Sequence, residues 1–123
     1  MKKIYTPFKI NKLELKNRIV MSPMSPGHCV KGYFEDAAID YFRRRAEGGV
    51  GLIVFANMQW DKERHANNVP LLTDEKFIPE LKKITDAVHE TDCKMFAQIM
   101  HRGTSAPRRT INGMEAVGPS AVP

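Results

Sequence analysis

The run Val50 to Phe55, Val-Gly-Leu-Ile-Val-Phe, is apolar at every position except Gly51 and lies between two segments whose apolar residues recur at helical spacing. A strand that is apolar throughout, rather than at alternate positions, fits a parallel sheet covered on both faces. Before it, Glu35 and Asp36 place acidic side chains in the first turn of a predicted helix that carries Ala37, Ala38, Tyr41, Phe42 and Ala46 and stops at Gly48-Gly49. After it, Phe77, Leu81, Ile84 and Val88 are spaced four, three and four apart. That spacing predicts a second helix with Pro79 in its first turn, where a missing N–H is tolerated. A further strand, Lys94 to Met100, follows the Thr91-Asp92 turn. Another, Arg18 to Met21, leads in as a run of buried-strand type and is closed by Ser22-Pro23-Met24-Ser25-Pro26-Gly27, whose two prolines and glycine should forbid its continuation. Strand, helix, strand, helix, strand, joined by right-handed crossovers, gives an α/β fold on a parallel sheet.

Ahead of this unit, Phe8, Ile10, Leu13 and Leu15 alternate with Lys9, Lys12, Glu14 and Lys16, and the phase slips at Asn11-Lys12. The pattern predicts a short β-hairpin with one buried face. A long polar loop from Gln59 to about Pro70 includes Trp60, Arg64 and His65, and loops of that length are often functional. From Thr104 onward the regular pattern stops.

Composition narrows the partners. With 42% apolar and 27% charged residues over 123, the chain reads as one globular domain. The net charge of +5 is spread among 19 basic and 14 acidic residues, and the dense run Arg43-Arg44-Arg45 falls on the outer face of the first helix. Aromatic residues are not interleaved with basic ones along a strand, so no nucleic-acid surface is expected. Cys29 and Cys93 are too few for a disulfide framework and lack zinc-site spacing. Lys2 and Lys3 are followed by Pro7 and Lys9 rather than an apolar signal core, and no stretch approaches the roughly 20 apolar residues of a membrane span. A cytoplasmic protein with reduced thiols is the expectation.

In parallel α/β folds, functional groups gather at the C-terminal ends of strands. Three such ends are Ser22 to Ser25, Ala56 to Met58, and Gln98 to Gly103. Gln98 and His101 are polar where a core strand would exclude them. Glutamine carries both a donor and an acceptor, the pairing that reads an amide-like ring edge, although a satisfied polar core residue would look the same. Phe96, Gln98 and Met100 share one face of the strand, and His101 has the opposite parity, which suits a residue that fixes a loop.

These strand ends, with Asn17-Arg18-Ile19-Val20-Met21 before them, Ala116 to Val122 after them, and Tyr5-Thr-Pro-Phe at the start, resemble the old yellow enzyme family of NADH:flavin oxidoreductases. The resemblance implies the N-terminal portion of a (β/α)8 TIM barrel preceded by a β-hairpin, with about three of eight strands present in residues 1–123 as part of one FMN-binding domain. It implies FMN contacts from Ser22, Pro23, Met24, Ser25, Asn57 and Gln98, with the Ser25 hydroxyl beside the flavin C4 carbonyl. Asn57 departs from the Ala or Gly common in the family. Gly27 lies where some relatives carry a substrate-contacting tyrosine, which points to the branch of 2,4-dienoyl-CoA reductases and related enoate reductases. Members of that branch often hold an iron–sulfur cluster, whose cysteines would lie beyond residue 123; Cys29 and Cys93 are not assigned as ligands.

The implied activity is hydride transfer from NAD(P)H through the flavin to an activated carbon–carbon double bond of a small enoate or enoyl substrate. The groups that polarise and protonate the substrate would come from later strands, so no catalytic residue and no metal ligand is assigned here. Residues 1–123 alone are expected to bind FMN poorly, to be inactive, and to self-associate through an unpaired sheet edge. Two other readings are a different β/α-barrel enzyme with a phosphate-bearing ligand, and a non-catalytic half-barrel completed by a partner chain.

Overall fold

The computed structural model of the protein describes residues 2–120. Its strands are β1 (Phe8–Ile10), β2 (Leu13–Leu15), β3 (Val20–Met24), β4 (Cys29–Val30), β5 (Tyr33–Phe34), β6 (Leu52–Gln59) and β7 (Lys94–Met100); its helices are α1 (Asp36–Glu47) and α2 (Ile78–His89). The larger sheet is parallel, in the order β3-β6-β7. Because sequence order and spatial order agree, right-handed crossovers carry both helices to the same face. The core is built accordingly: Ala38, Phe42 and Ala46 of α1 and Ile84 and Val88 of α2 pack with Met21, Ile53, Phe55 and Met58 of the sheet.

Local chemistry accounts for the element ends. Gly49, at φ 98°, leaves α1 in a conformation that side chains rarely adopt. Pro79 lies in the first turn of α2, and the Asp74 side chain accepts from Lys76 N–H in the short turn ahead of it. At the N-terminal end of the sheet, Asn17 Nδ2 donates to Gly49 O at 2.7 Å, and its Oδ1 accepts from Ile19 N–H at 3.0 Å. Gly51 makes room for this bridge, since a Cβ there would lie 2.6 Å from Asn17 Oδ1 and 2.9 Å from Asn17 O.

Both helices, β6, β7 and the hairpin register follow the sequence reading, but several details differ. β3 does not stop at Met21; it runs through Pro23 to Met24. It is an edge strand, and a proline is tolerated at an edge or a bulge, where its missing N–H breaks no ladder. For the same reason β3 is mostly exposed, with only Met21 buried, rather than a buried strand. The β1–β2 hairpin buries Leu15 alone, while Phe8 and Ile10 are exposed and the Arg18 guanidinium stands over the Phe8 ring. Its strands are too short to carry a full apolar face into the core. β6 begins at Leu52 rather than Val50 and extends four residues past the expected apolar run, through Gln59, which was expected to open the loop. The β4–β5 hairpin, turning at Lys31 (φ 51°) and Gly32 (φ 85°), had no counterpart in the sequence reading. The family-like segment Ala116 to Val122 is described only to Ser120; Ala121 and Val122 lie outside the described residues.

Candidate functional site

The C-terminal ends of two of the three parallel strands, β3 and β6, are irregular, and the irregularities fall on residues singled out from sequence. Met21 stands against Ile53 and Met24 against Phe55, so Ser22 and Pro23 together oppose Val54 alone. On the other side of β6, Phe55 stands against Ala97 and Met58 against Ile99, so Ala56 and Asn57 together oppose Gln98. Each two-against-one step is a β-bulge, a device found at barrel rims and next to active sites because it re-aims side chains.

The bulge in β6 has a further mark. Asn57 adopts φ 72°, a left-handed conformation that asparagine tolerates better than other residues bearing a Cβ. Its side-chain Oδ1 is buried and has no hydrogen-bond partner among the described residues. Gln98, across from it, is exposed, as are Ser22, Pro23, Met24 and Ser25. The structure therefore brings Asn57 and Gln98 together across adjacent strands and places Ser22 to Ser25 along the far edge of the same strand ends. Gly27 has φ 75° and open space where a Cβ would be, so the backbone there, rather than crowding, favours glycine.

His101 is turned away from this cluster, as its parity predicts. Its Nε2 lies 3.2 Å from Asp61 Oδ2, and Gly103 N–H donates to its Nδ1 at 3.0 Å. Asp61 was not singled out from sequence; its signal was an aspartate at the start of a polar loop, able to accept from backbone two and three residues on. The Glu63 N–H, helped by the Arg64 N–H, the His101 ring and the Arg64 charge, holds the Asp61 carboxyl below the usual carboxylate range against the opposing effect of burial.

The loop after β6 is ordered by Gln59, which is only 3% exposed. Its N–H donates to Pro70 O, its carbonyl accepts from Leu72 N–H, and its Oε1 accepts from Ala66 N–H at 2.9 Å. Every polar group so paired can be buried, which is why a glutamine can end a core strand. Arg64 Nε donates to Glu115 O and Asn112 Nδ2 to Glu63 O, joining this loop to the segment that follows β7.

Other features of the surface carry less chemistry. An apolar groove of about 260 Å³, lined in part by Phe55, Met58, Leu81, Ile84 and Met95, lies on the helix side of the sheet. Both cysteines are buried and unpaired; burial pushes the Cys29 thiol up to about 11, far from a reactive thiolate. No cluster of three or more His, Cys, Asp or Glu side chains among the described residues could hold a metal ion. No helix among them is long and apolar enough to cross a membrane.

A parallel sheet with both helices on one face and polar side chains on bulged strand ends defines an α/β protein whose strand ends are the candidate site. The comparisons make it specific. The profile of the NADH:flavin oxidoreductase / NADH oxidase family matches residues 3–123, and the chain belongs to that family. It is 38% identical over 120 residues to a metal reductase of Desulforamulus reducens, covering 98% of this chain and 18% of that protein. It is 35% identical to an NADH oxidase of Thermoanaerobacter brockii, covering 98% of this chain and 19% of that protein. Among solved structures, the old yellow enzyme homologue from Zymomonas mobilis superposes with a TM-score of 0.86 at 27% identity, over 98% of this chain and 34% of that one. The chain thus spans about a fifth of the length of these curated relatives.

Proposed function

We propose that this chain supplies three parallel strands and the two helices between them to an FMN-dependent NAD(P)H oxidoreductase barrel and forms one side of its flavin site. When bound, FMN supplies hydride transfer between NAD(P)H and an activated carbon–carbon double bond of an enoate or enoyl substrate. The residues here hold and orient the ring. Gln98 engages the pyrimidine edge with a donor and an acceptor, Ser22, Pro23 and Met24 lie along the ring, and the Ser25 hydroxyl donates toward the C4 carbonyl region. Asn57 adds an amide where relatives carry Ala or Gly. The observation that carries this reading is the buried Asn57 oxygen, which has no hydrogen-bond partner among the described residues, at the bulge opposite exposed Gln98.

The 38% and 35% identities to relatives of which this chain spans 18–19% favour the branch of longer chains, and any iron–sulfur cluster would be held by residues outside these 123. The groups that polarise and protonate the substrate lie outside these 123 residues. The test is FMN reconstitution of the intact protein, followed by reduction of an α,β-unsaturated acid or thioester with NADH or NADPH. One flavin per chain, and roughly tenfold weaker binding after Gln98→Ala, are expected from the loss of a paired amide contact. An intact protein that takes up no flavin refutes the reading.

A further inference from the structure

The register of β6 on β7 continues to its last pair, Gln59 against Met100, so Trp60 and His101 are the first residues past the sheet. Their rings meet at 5.6 Å between centroids, tilted by 38°. The histidine is fixed at both nitrogens. Because Gly103 N–H donates to Nδ1, the ring proton sits on Nε2, and Nε2–H donates to Asp61 Oδ2. Asp61 is itself held through its other oxygen, which accepts from Glu63 N–H at 2.9 Å and Arg64 N–H at 3.1 Å, with the Arg64 guanidinium 3.8 Å from Oδ2.

We propose that Asp61 and His101 are positioning residues for the flavin edge: together they clasp the end of β6 to the end of β7 and so hold Asn57 across from Gln98. The inference rests on the FMN reading. Its physical basis is the bulge. The ladder between β6 and β7 is interrupted where Asn57 faces Gln98, and it resumes for only Met58 and Gln59 before the strands end. A bulge leaves its residue unpaired by backbone. A charge-assisted side-chain bond just beyond the last ladder pair restrains the two strand ends where the ladder does not. Neither His101 nor Asp61 touches the ring in this account; groups that orient contact residues typically change ligand affinity by 10- to 100-fold when removed from metal sites, and the same logic applies here.

Asp61→Asn separates the clasp from the loop turn. Its Oδ1 can still accept from Glu63 and Arg64, but the amide nitrogen then presents a donor to the Nε2–H of His101, so the histidine must give up one of its two bonds. In the intact protein we expect FMN affinity, read from quenching of flavin fluorescence, to fall roughly tenfold. Nitrogen-15 spectra of the His101 ring should shift from the pure Nε2–H form to a mixture of tautomers, while the circular dichroism spectrum is unchanged. Asp61→Ala, which also removes the turn, should lose more. A wild-type protein that binds FMN and an Asp61→Asn variant that binds it within twofold overturn the clasp and leave the FMN reading standing. A wild-type His101 that is not in the Nε2–H form overturns the clasp as well. If the wild-type intact protein takes up no flavin, the FMN reading fails and the clasp's role falls with it.

Discussion

Asn57→Gly should stabilise the ligand-free protein while weakening its hold on flavin, a pair of opposite effects that a purely structural asparagine would not produce. The magnitude follows from three terms. The buried Oδ1 has no partner among the described residues, and an unsatisfied buried acceptor costs about 1–3 kcal/mol. The φ of 72° suits glycine at no steric cost, whereas asparagine tolerates it with a small penalty. Against these gains, glycine gives the unfolded chain more freedom, worth about 0.5–1 kcal/mol. The sum is a stabilisation of about 1 kcal/mol, with a ceiling near 2.5 kcal/mol. On the ligand side, loss of one neutral hydrogen bond, about 0.5–1.5 kcal/mol, corresponds to roughly two- to tenfold in Kd. The assay is urea unfolding of the ligand-free intact protein together with an FMN titration by fluorescence. Asn57→Ala is the control: it removes the amide but keeps a Cβ at positive φ, at about 1–2 kcal/mol, and should fall below Asn57→Gly in stability. An Asn57→Gly protein destabilised by more than about 1 kcal/mol, or one that binds FMN as tightly as the wild type, refutes the reasoning.

Gly51→Ala should cost about 2–5 kcal/mol, because its Cβ meets a backbone oxygen at 2.9 Å that cannot rotate away and displaces the Asn17 bridge to Gly49 and Ile19. Thermal unfolding checks it, and a change under about 0.5 kcal/mol would show that the bridge is dispensable. Asp61, whose carboxyl is held below the usual range, contributes stability that is complete above the ordinary aspartate value of about 3.9 and is lost as pH falls through its lowered folded value. Stability measured against pH should therefore drop at the acid end in the wild type and less so in Asp61→Asn; parallel curves would remove Asp61 from the account. Residues 1–123 expressed alone, with β3 and β7 each paired on one side only, should retain no stoichiometric FMN and should self-associate; a monodisperse flavin-binding monomer by ultracentrifugation would contradict both.

The parts of this fold legible in sequence are those set by one segment's own pattern. Lys94–Met100 and Asp36–Glu47 have the predicted ends because apolar periodicity, an acidic first turn and terminal glycines act within a few residues of one another. Register is a different kind of property. The bulges at Ser22-Pro23 and Ala56-Asn57 exist only between strands, so the same residues read as a proline stop in one case and as the end of an apolar strand in the other. The β4–β5 hairpin was hidden for a related reason: its two-residue strands show no period, and Lys31 at positive φ carries no turn signature. Even so, the anomalies were in the text of the sequence. A proline after an apolar run, an asparagine at the end of a buried strand, and a glutamine within an otherwise apolar strand each break the local pattern of their element. Local rules are broken where a ligand site requires it. That the three departures fall at neighbouring strand ends of one sheet, two of them in direct opposition, is what turns separate irregularities into a site.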